Sequence, residues 1–237
     1  MKQNTILFFA ATLVAASSFG QAPVEYRFES VRSKVTVTVA SAASETRAAT
    51  GSVAYGGDRI RTGWLGYALL GAPRFGARFE VFGGSDVRLT SDTPGVLVSL
   101  ERGRLKAIFD KITGDEPRMV KTPGALLAVR GTRYGIEVGR DGTSMLAVFE
   151  GVVEVRSPLR PEPLLVRAGE SCHFSTSMRP EAMPMPHGMN EGSWQRHGSG
   201  MSGGMDGMSG GRGMDGGGGT HGGGQRPTTG SGHHGGH

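Results

Sequence analysis

Apolar residues recur along this chain with a period of two, in short runs. Val35, Val37 and Val39 alternate with Thr36 and Thr38, and further alternating runs read "GSVAY", "RIRTG", "GYALLGA", "ARFEVFG", "DVRLT", "GVLVSLERG", "RLKAIFD", "RMVKT" and "PLLVRAG". Period two places every second side chain on one face of a strand. Gly, Asp, Ser or Pro punctuates most of the gaps, as turns require. The pattern predicts an all-β domain of many short strands, a β-roll, a solenoid or a sandwich. A helix is expected only around "KAIFDKI", Lys106 to Ile112. "IEVGRDGTSMLAV" reads as a hairpin with Gly139-Arg140-Asp141-Gly142 as its loop.

One run breaks the alternation. In "TPGALLAVRGTRYGIEV", Thr122 to Val138, the apolar positions are Leu127 and Val129, then Tyr134, Ile136 and Val138. The parity changes across Arg130-Gly131-Thr132, and a regular strand cannot do that. A β-bulge at Gly131 is expected, since glycine tolerates the dihedrals a bulge demands. Pro123-Gly124 turns the chain at the other end, and Glu150-Gly151, between "LAVF" and "VVEV", repeats the device.

Composition divides the chain into three parts. Lys2, the apolar run Ile6 to Ala16 and the small-x-small triplet Gly20-Gln21-Ala22 have the form of a secretory signal peptide over residues 1–22. The apolar run is shorter than the ~20 residues of a membrane span, so no span is expected after cleavage. Residues 23–177 are of ordinary domain size. Residues 178–237 are Gly-, Met- and His-rich with almost no branched aliphatics. They offer little to bury and are expected to be a disordered tail. Charge does not point to nucleic acid. Basic and acidic side chains are interspersed, and the net +5 is a modest excess of Arg without a basic run.

A search for catalytic chemistry returns little. His173 is the only histidine before residue 187 and is adjacent to the single cysteine, Cys172. Neighbours on a strand face opposite ways, so the two do not form a Cys/His pair. "GESCH" is not a nucleophile elbow. No phosphate loop, zinc spacing or calcium loop occurs. Cys172 is expected as a buried small hydrophobe, and the protein is expected not to be an enzyme and to need no cofactor.

Two segments are more specific: "GDRIRTG", Gly57 to Gly63, and "TP…VRGT" followed by "VFEGVVEV" and "VRAGE". In this order and spacing they resemble the FecR domain family over about residues 51–172. The residues that carry the resemblance are Asp58, Ile60, Thr62, Gly63, Thr122, Pro123, Val129, Arg130, Gly131, Thr132, Tyr134, Val138, Val148, Glu150, Gly151, Val153, Val155 and Gly169. The resemblance implies an exported, periplasmic or secreted all-β module that acts by sensing or by protein contact in the cell envelope. Its partner would be an envelope protein rather than nucleic acid. It also implies structural roles for Asp58 and Arg130, with Arg130 satisfying carbonyls beside the bulge or pairing with Asp58 or Glu150. Known members couple an outer-membrane transporter to a sigma factor through a cytoplasmic part. Only the export signal precedes the β-domain in this sequence, so a stand-alone FecR-domain protein is expected.

The C-terminal segment supports an alternative. Eight of the eleven Met and six of the seven His lie in residues 178–237. Thioethers suit Cu(I), and imidazoles suit Cu(II) or Ni(II). On that reading Met205, Met208, His233, His234 and His237 would bind copper or nickel in the envelope.

Overall fold

The computed structural model describes residues 24–42, 44–90, 93–110 and 118–196. The described chain opens with β1 (Glu25–Arg32), β2 (Val35–Thr38), β3 (Glu45–Arg47), β4 (Val53–Tyr55), β5 (Arg59–Thr62) and β6 (Tyr67–Ala72). After a 3₁₀ turn at Pro73–Phe75 come β7 (Ala77–Val81), β8 (Asp86–Leu89), β9 (Val96–Phe109) and β10 (Arg118–Lys121). Then follow β11 (Leu126–Val129), β12 (Arg133–Val138), β13 (Ser144–Glu150), β14 (Val152–Arg156), β15 (Leu164–Arg167), β16 (Glu170–Phe174) and β17 (Glu181–Pro184). A short helix, α1 (Glu191–Arg196), ends the described part.

The all-β expectation is met, and the strands form two sheets. The first runs β4-β1-β6-β7-β9-β12-β13-β16-β17. The second runs β3-β2-β5-β8-β9-β10-β11-β14-β15. All pairings are antiparallel except β9–β10. β9 belongs to both sheets: Val98 to Arg102 pair with β8, and Leu105 to Phe109 pair with β7. Its bend is at Gly103, where φ is +94° and an added Cβ would strike Ser85. Two sequence runs, "GVLVSLERG" and "RLKAIFD", are thus one bent strand. The helix expected from Lys106 is not formed; Lys106 to Phe109 continue β9.

The inward faces of the two sheets make one core. Phe79, Leu105, Tyr134, Ile136, Leu146 and Val148 come from the first sheet, and Ile60, Val87, Leu100, Leu127, Val153 and Val166 from the second. Phe79 meets Phe109 edge-on at 5.7 Å, and Phe109 stacks on Tyr134 at 6.3 Å. Such ring pairs add to the burial of their area.

The parity switch has a different cause from the one expected. Leu127, Val129, Tyr134, Ile136 and Val138 are all buried. They belong to two strands in different sheets, however, not to one bulged strand. β11 pairs with β14 in the second sheet, and β12 pairs with β13 in the first. Arg130 to Thr132 are the corner between sheets, with Gly131 at φ +58°. Gly151, at φ +81°, makes the matching corner from β13 to β14. A bulge does occur, but opposite: Arg133 and Tyr134 pair with Glu150 and Val148, leaving Phe149 as the extra residue.

The expected boundary at 177 also needs correction. β17 adds the last strand to the first sheet, and α1 follows with Trp194 only 2% exposed. Asn190 starts that helix: its Oδ1 accepts from Ser193 N at 2.9 Å, while Asn190 N donates to Ser193 Oγ at 2.8 Å. This reciprocal pairing satisfies amides that a helix start leaves open. The leader over residues 1–22, and Met205, Met208, His233, His234 and His237, lie outside the described residues. Among the described residues, no helix is long and apolar enough to cross a membrane.

Candidate functional site

The motif residues fall where the chain passes between the two sheets. In the turn from β4 to β5, the Asp58 carboxylate accepts from Tyr55 N at 2.9 Å and Ala40 N at 3.0 Å, and the residue is buried. Thr62 Oγ1 donates to Phe82 O at 2.6 Å and accepts from Ser85 N at 2.9 Å. Ser85 Oγ in turn accepts from Arg104 N at 2.9 Å. Gly63 N donates to Lys34 O at 2.8 Å. The Thr62 and Ser85 bonds tie β5, the β7–β8 corner and the bend of β9 together at one edge of the sandwich, and satisfy main-chain groups that a corner takes out of the ladder.

At the other edge, Thr132 is fully buried and its carbonyl accepts from Phe109 N at 2.9 Å. Gly151 lies against it: a Cβ there would come within 2.7 Å of Thr132 Cγ2 and 2.9 Å of Gly131 O. Glu150 pairs with Arg133 at 3.4 Å, both half-exposed. Arg130 is exposed at the same corner. Pro123 is exposed in a turn held by Thr122, whose Oγ1 donates to Ala125 O at 3.0 Å. The Asp58 contacts above are both to main chain.

Sequence reading missed a second set of residues altogether. On the outer face of the first sheet, Lys106 Nζ lies 2.8 Å from Glu80 Oε1 and 2.7 Å from Glu191 Oε1, with the lysine side chain 3% exposed. Arg104 donates from Nη2 to Trp194 O at 2.6 Å, stacks on the Trp194 ring at 4.5 Å and pairs with Glu137 at 3.4 Å. Burial pushes the Arg104 guanidinium down and Glu137 works against that shift. Tyr67 donates to Glu80 Oε2 at 3.3 Å, and burial, then Glu80, pushes its phenol up to about 12. The segment before and within α1 covers this face. Trp194, Phe82 and Ala147 form a small apolar cluster, with Met145, Phe149, Met185 and Met189 packed on it. Gly135 leaves the room: a Cβ there would strike the Trp194 ring. The isolated Trp194 in a Gly- and Pro-rich stretch was the available signal. Met185 and Met189 are packing residues in this structure.

A third feature is an open cleft of about 390 Å³ between the Pro123 turn and the 156–163 loop. Lys121, Arg156 and Arg160 line it and no carboxylate does, although Arg156 is paired with Glu154 at 2.6 Å. Elsewhere, Cys172 is fully buried in the core, and burial pushes its thiol up to about 11. Among the described residues, no group of His, Cys, Asp and Glu is placed to hold a metal ion.

These features define a two-sheet scaffold whose signature residues build its corners. The family model described as "FecR protein" matches residues 76–154, from the end of the 3₁₀ turn into β14. Over those residues the chain matches the FecR family that its motifs resemble. The match takes in Pro123, Arg130 to Thr132, Glu150 and Gly151, and begins after Asp58, Thr62 and Gly63. Among solved structures, two crystal structures of a "putative anti-sigma factor" from Parabacteroides distasonis ATCC 8503, at 1.65 and 2.50 Å resolution, are similar to this chain. Each is 20% identical with a TM-score of 0.44, over 53% of this chain and 59% of its own. The chain therefore spans less than two thirds of those structures. No curated protein matches.

Proposed function

We propose that this protein is an exported, non-enzymatic FecR-type module that senses or signals by protein contact in the cell envelope. The observation that carries this reading is the use to which the FecR-type residues are put. Asp58, Thr62, Gly131, Thr132 and Gly151 are spent on turning the chain between sheets. A signature that specifies a scaffold, rather than a constellation of reactive groups, suits a module whose work is done by its outer surfaces. The cation-lined cleft is one such surface. The leader-like N-terminus supports export. The test is recovery of partners from envelope extracts, using the full chain and a chain ending at Arg196. The same partner retained by both is the expected result. Recovery of none by either sinks the proposal.

The Met- and His-rich composition of residues 178–237 supports a second reading, as an envelope copper or nickel binder. Titration with Cu(I) separates the two. A tight stoichiometric site that is lost when the chain ends at Arg196 establishes the metal reading; weak multi-site uptake does not.

A further inference from the structure

The β5–β6 connection, Gly63-Trp64-Leu65-Gly66, carries two large apolar side chains that nothing covers. Trp64 is 63% exposed and Leu65 68%, more than any other large hydrophobic residue among those described. Their backbone is nevertheless held on several sides. Gly66 N donates to Gly63 O at 2.8 Å, Gly63 N to Lys34 O at 2.8 Å and Gly84 N to Gly63 O at 3.0 Å. A Cβ on Gly66 would come within 2.8 Å of Gly63 N, and one on Gly83 within 2.9 Å of the Trp64 carbonyl carbon. Two neighbouring chain segments, at Lys34 and at Gly83-Gly84, thus join the tip's own internal bond in fixing a main chain whose side chains stay in water. A fixed tip loses little conformational freedom when it meets a partner.

The surroundings of the tip are cationic. Lys34 lies against it through the bond to Gly63. Arg32 is exposed beside it, its guanidinium 4.1 Å from the ring centre of Tyr67, which follows Gly66 directly. Arg47 reaches the same turn, donating to Ser33 O at 3.4 Å. Among the described residues none of these three cations is paired with a carboxylate, whereas Arg61 is bound to Asp86 at 3.3 Å.

We infer that this tip docks on an anionic lipid bilayer. Indole rings favour the headgroup boundary, leucine the acyl edge just below it, and Lys and Arg the phosphates above. The exposed apolar part of the tip is two side chains, Trp64 and Leu65. A stable protein interface covers about 800 Å² on each partner, whereas a bilayer needs no complementary pocket. The inference shares with the proposed function only the assumption of export. Vesicle binding is read without any protein partner, so the two fail separately.

The chain supplies its own probe, because its two tryptophans are one exposed and one buried. Residues 1–22 contain no tryptophan, so fluorescence reads the tip whatever the state of the leader. The full chain is mixed with vesicles of phosphatidylethanolamine and phosphatidylglycerol at three to one, and with vesicles of phosphatidylcholine, each with and without brominated acyl chains. The expected result is a blue shift and bromine quenching on the anionic vesicles, both weakened by salt. W64S/L65S should bind these vesicles at least about tenfold more weakly. It should keep the wild-type circular dichroism and melting temperature, since both side chains are exposed. K34E should weaken anionic binding about fivefold or more and leave the phosphatidylcholine signal unchanged. Absence of vesicle binding overturns the inference, as does binding that W64S/L65S leaves intact. Loss of an envelope protein from W64S/L65S, with no vesicle binding by wild type, would assign the tip to a protein partner and also overturn it.

Discussion

Gly142 and Gly151 share a backbone conformation, φ +81° at each, but differ in what surrounds them. An added Cβ at Gly142 meets nothing within 4 Å, whereas at Gly151 it meets Thr132 and the Gly131 carbonyl. Gly142→Ala should therefore cost only the dihedral term, about 1 kcal/mol. Gly151→Ala adds a collision with backbone and should cost about 2–3 kcal/mol. Urea denaturation of both variants checks the difference, and equal losses would mean the corner relaxes freely. Asp86 supplies a pH dependence. Burial alone would raise its carboxyl, but the two Arg59 bonds, both 2.6 Å, and Arg61 outweigh that and hold it below the ordinary value. Its contribution to stability is complete above the unfolded-state pKa, about 3.9, and is lost as pH falls through the lowered folded value. Asp86→Asn should lower stability at pH 7 and shrink the further loss between pH 5 and 2, measured by urea midpoints. The reverse holds for Cys172, whose raised thiol favours the fold below the ordinary cysteine value and ceases to as pH rises through about 11. In the native protein at pH 8 it should react with a thiol reagent far more slowly than in the unfolded chain.

At the scale of elements, strands were legible wherever one face alternates cleanly, as in β2 and β12. β3 was not, because Glu45-Thr46-Arg47 is exposed throughout and leaves no apolar period. β1 does alternate, with Tyr26 and Phe28 buried between charged residues, but it follows the leader without a turn signal to mark its start. β17 and α1 were hidden by composition: their setting is Pro, Gly and Met, and Trp194 is the one strong anchor. The buried charges Glu80, Arg104 and Lys106 were illegible for the same reason. Period two correctly places them outward, and only the covering segment makes outward mean buried. That segment makes a prediction. Ending the chain at Arg196 should leave the melting temperature unchanged. Ending it at Ser177 removes β17 and α1 and uncovers Phe82, Lys106 and the edge of β16, and should lower it by many degrees. Trp194→Ala alone should cost about 3–5 kcal/mol, and a change under 1 kcal/mol would show that the cover contributes little.

At the scale of the molecule, the FecR-type corners were readable as departures from strand parity. Their role as passages between sheets was not, because one sequence cannot say which strand each half will meet. β9 unites the result: it lies inside both sheets, with neighbours on each side in each. Neither sheet keeps its pairing if the other is lost. Urea unfolding should therefore be one transition, with far-UV circular dichroism and Cys172 reactivity changing together. Two separated transitions would show that the sheets unfold independently.

The order in which the chain leaves the sandwich also has a mechanical meaning. β17 is the outermost strand of the first sheet and α1 follows it directly. A load drawn through the C-terminal end reaches the Trp194 cover first and then β17, which is paired with β16. β16 and the inner strands carry tension only after both have come away. The C-terminal cover thus stands first in line, so that tension from that end bares the outer face of the first sheet before it reaches the core between the sheets.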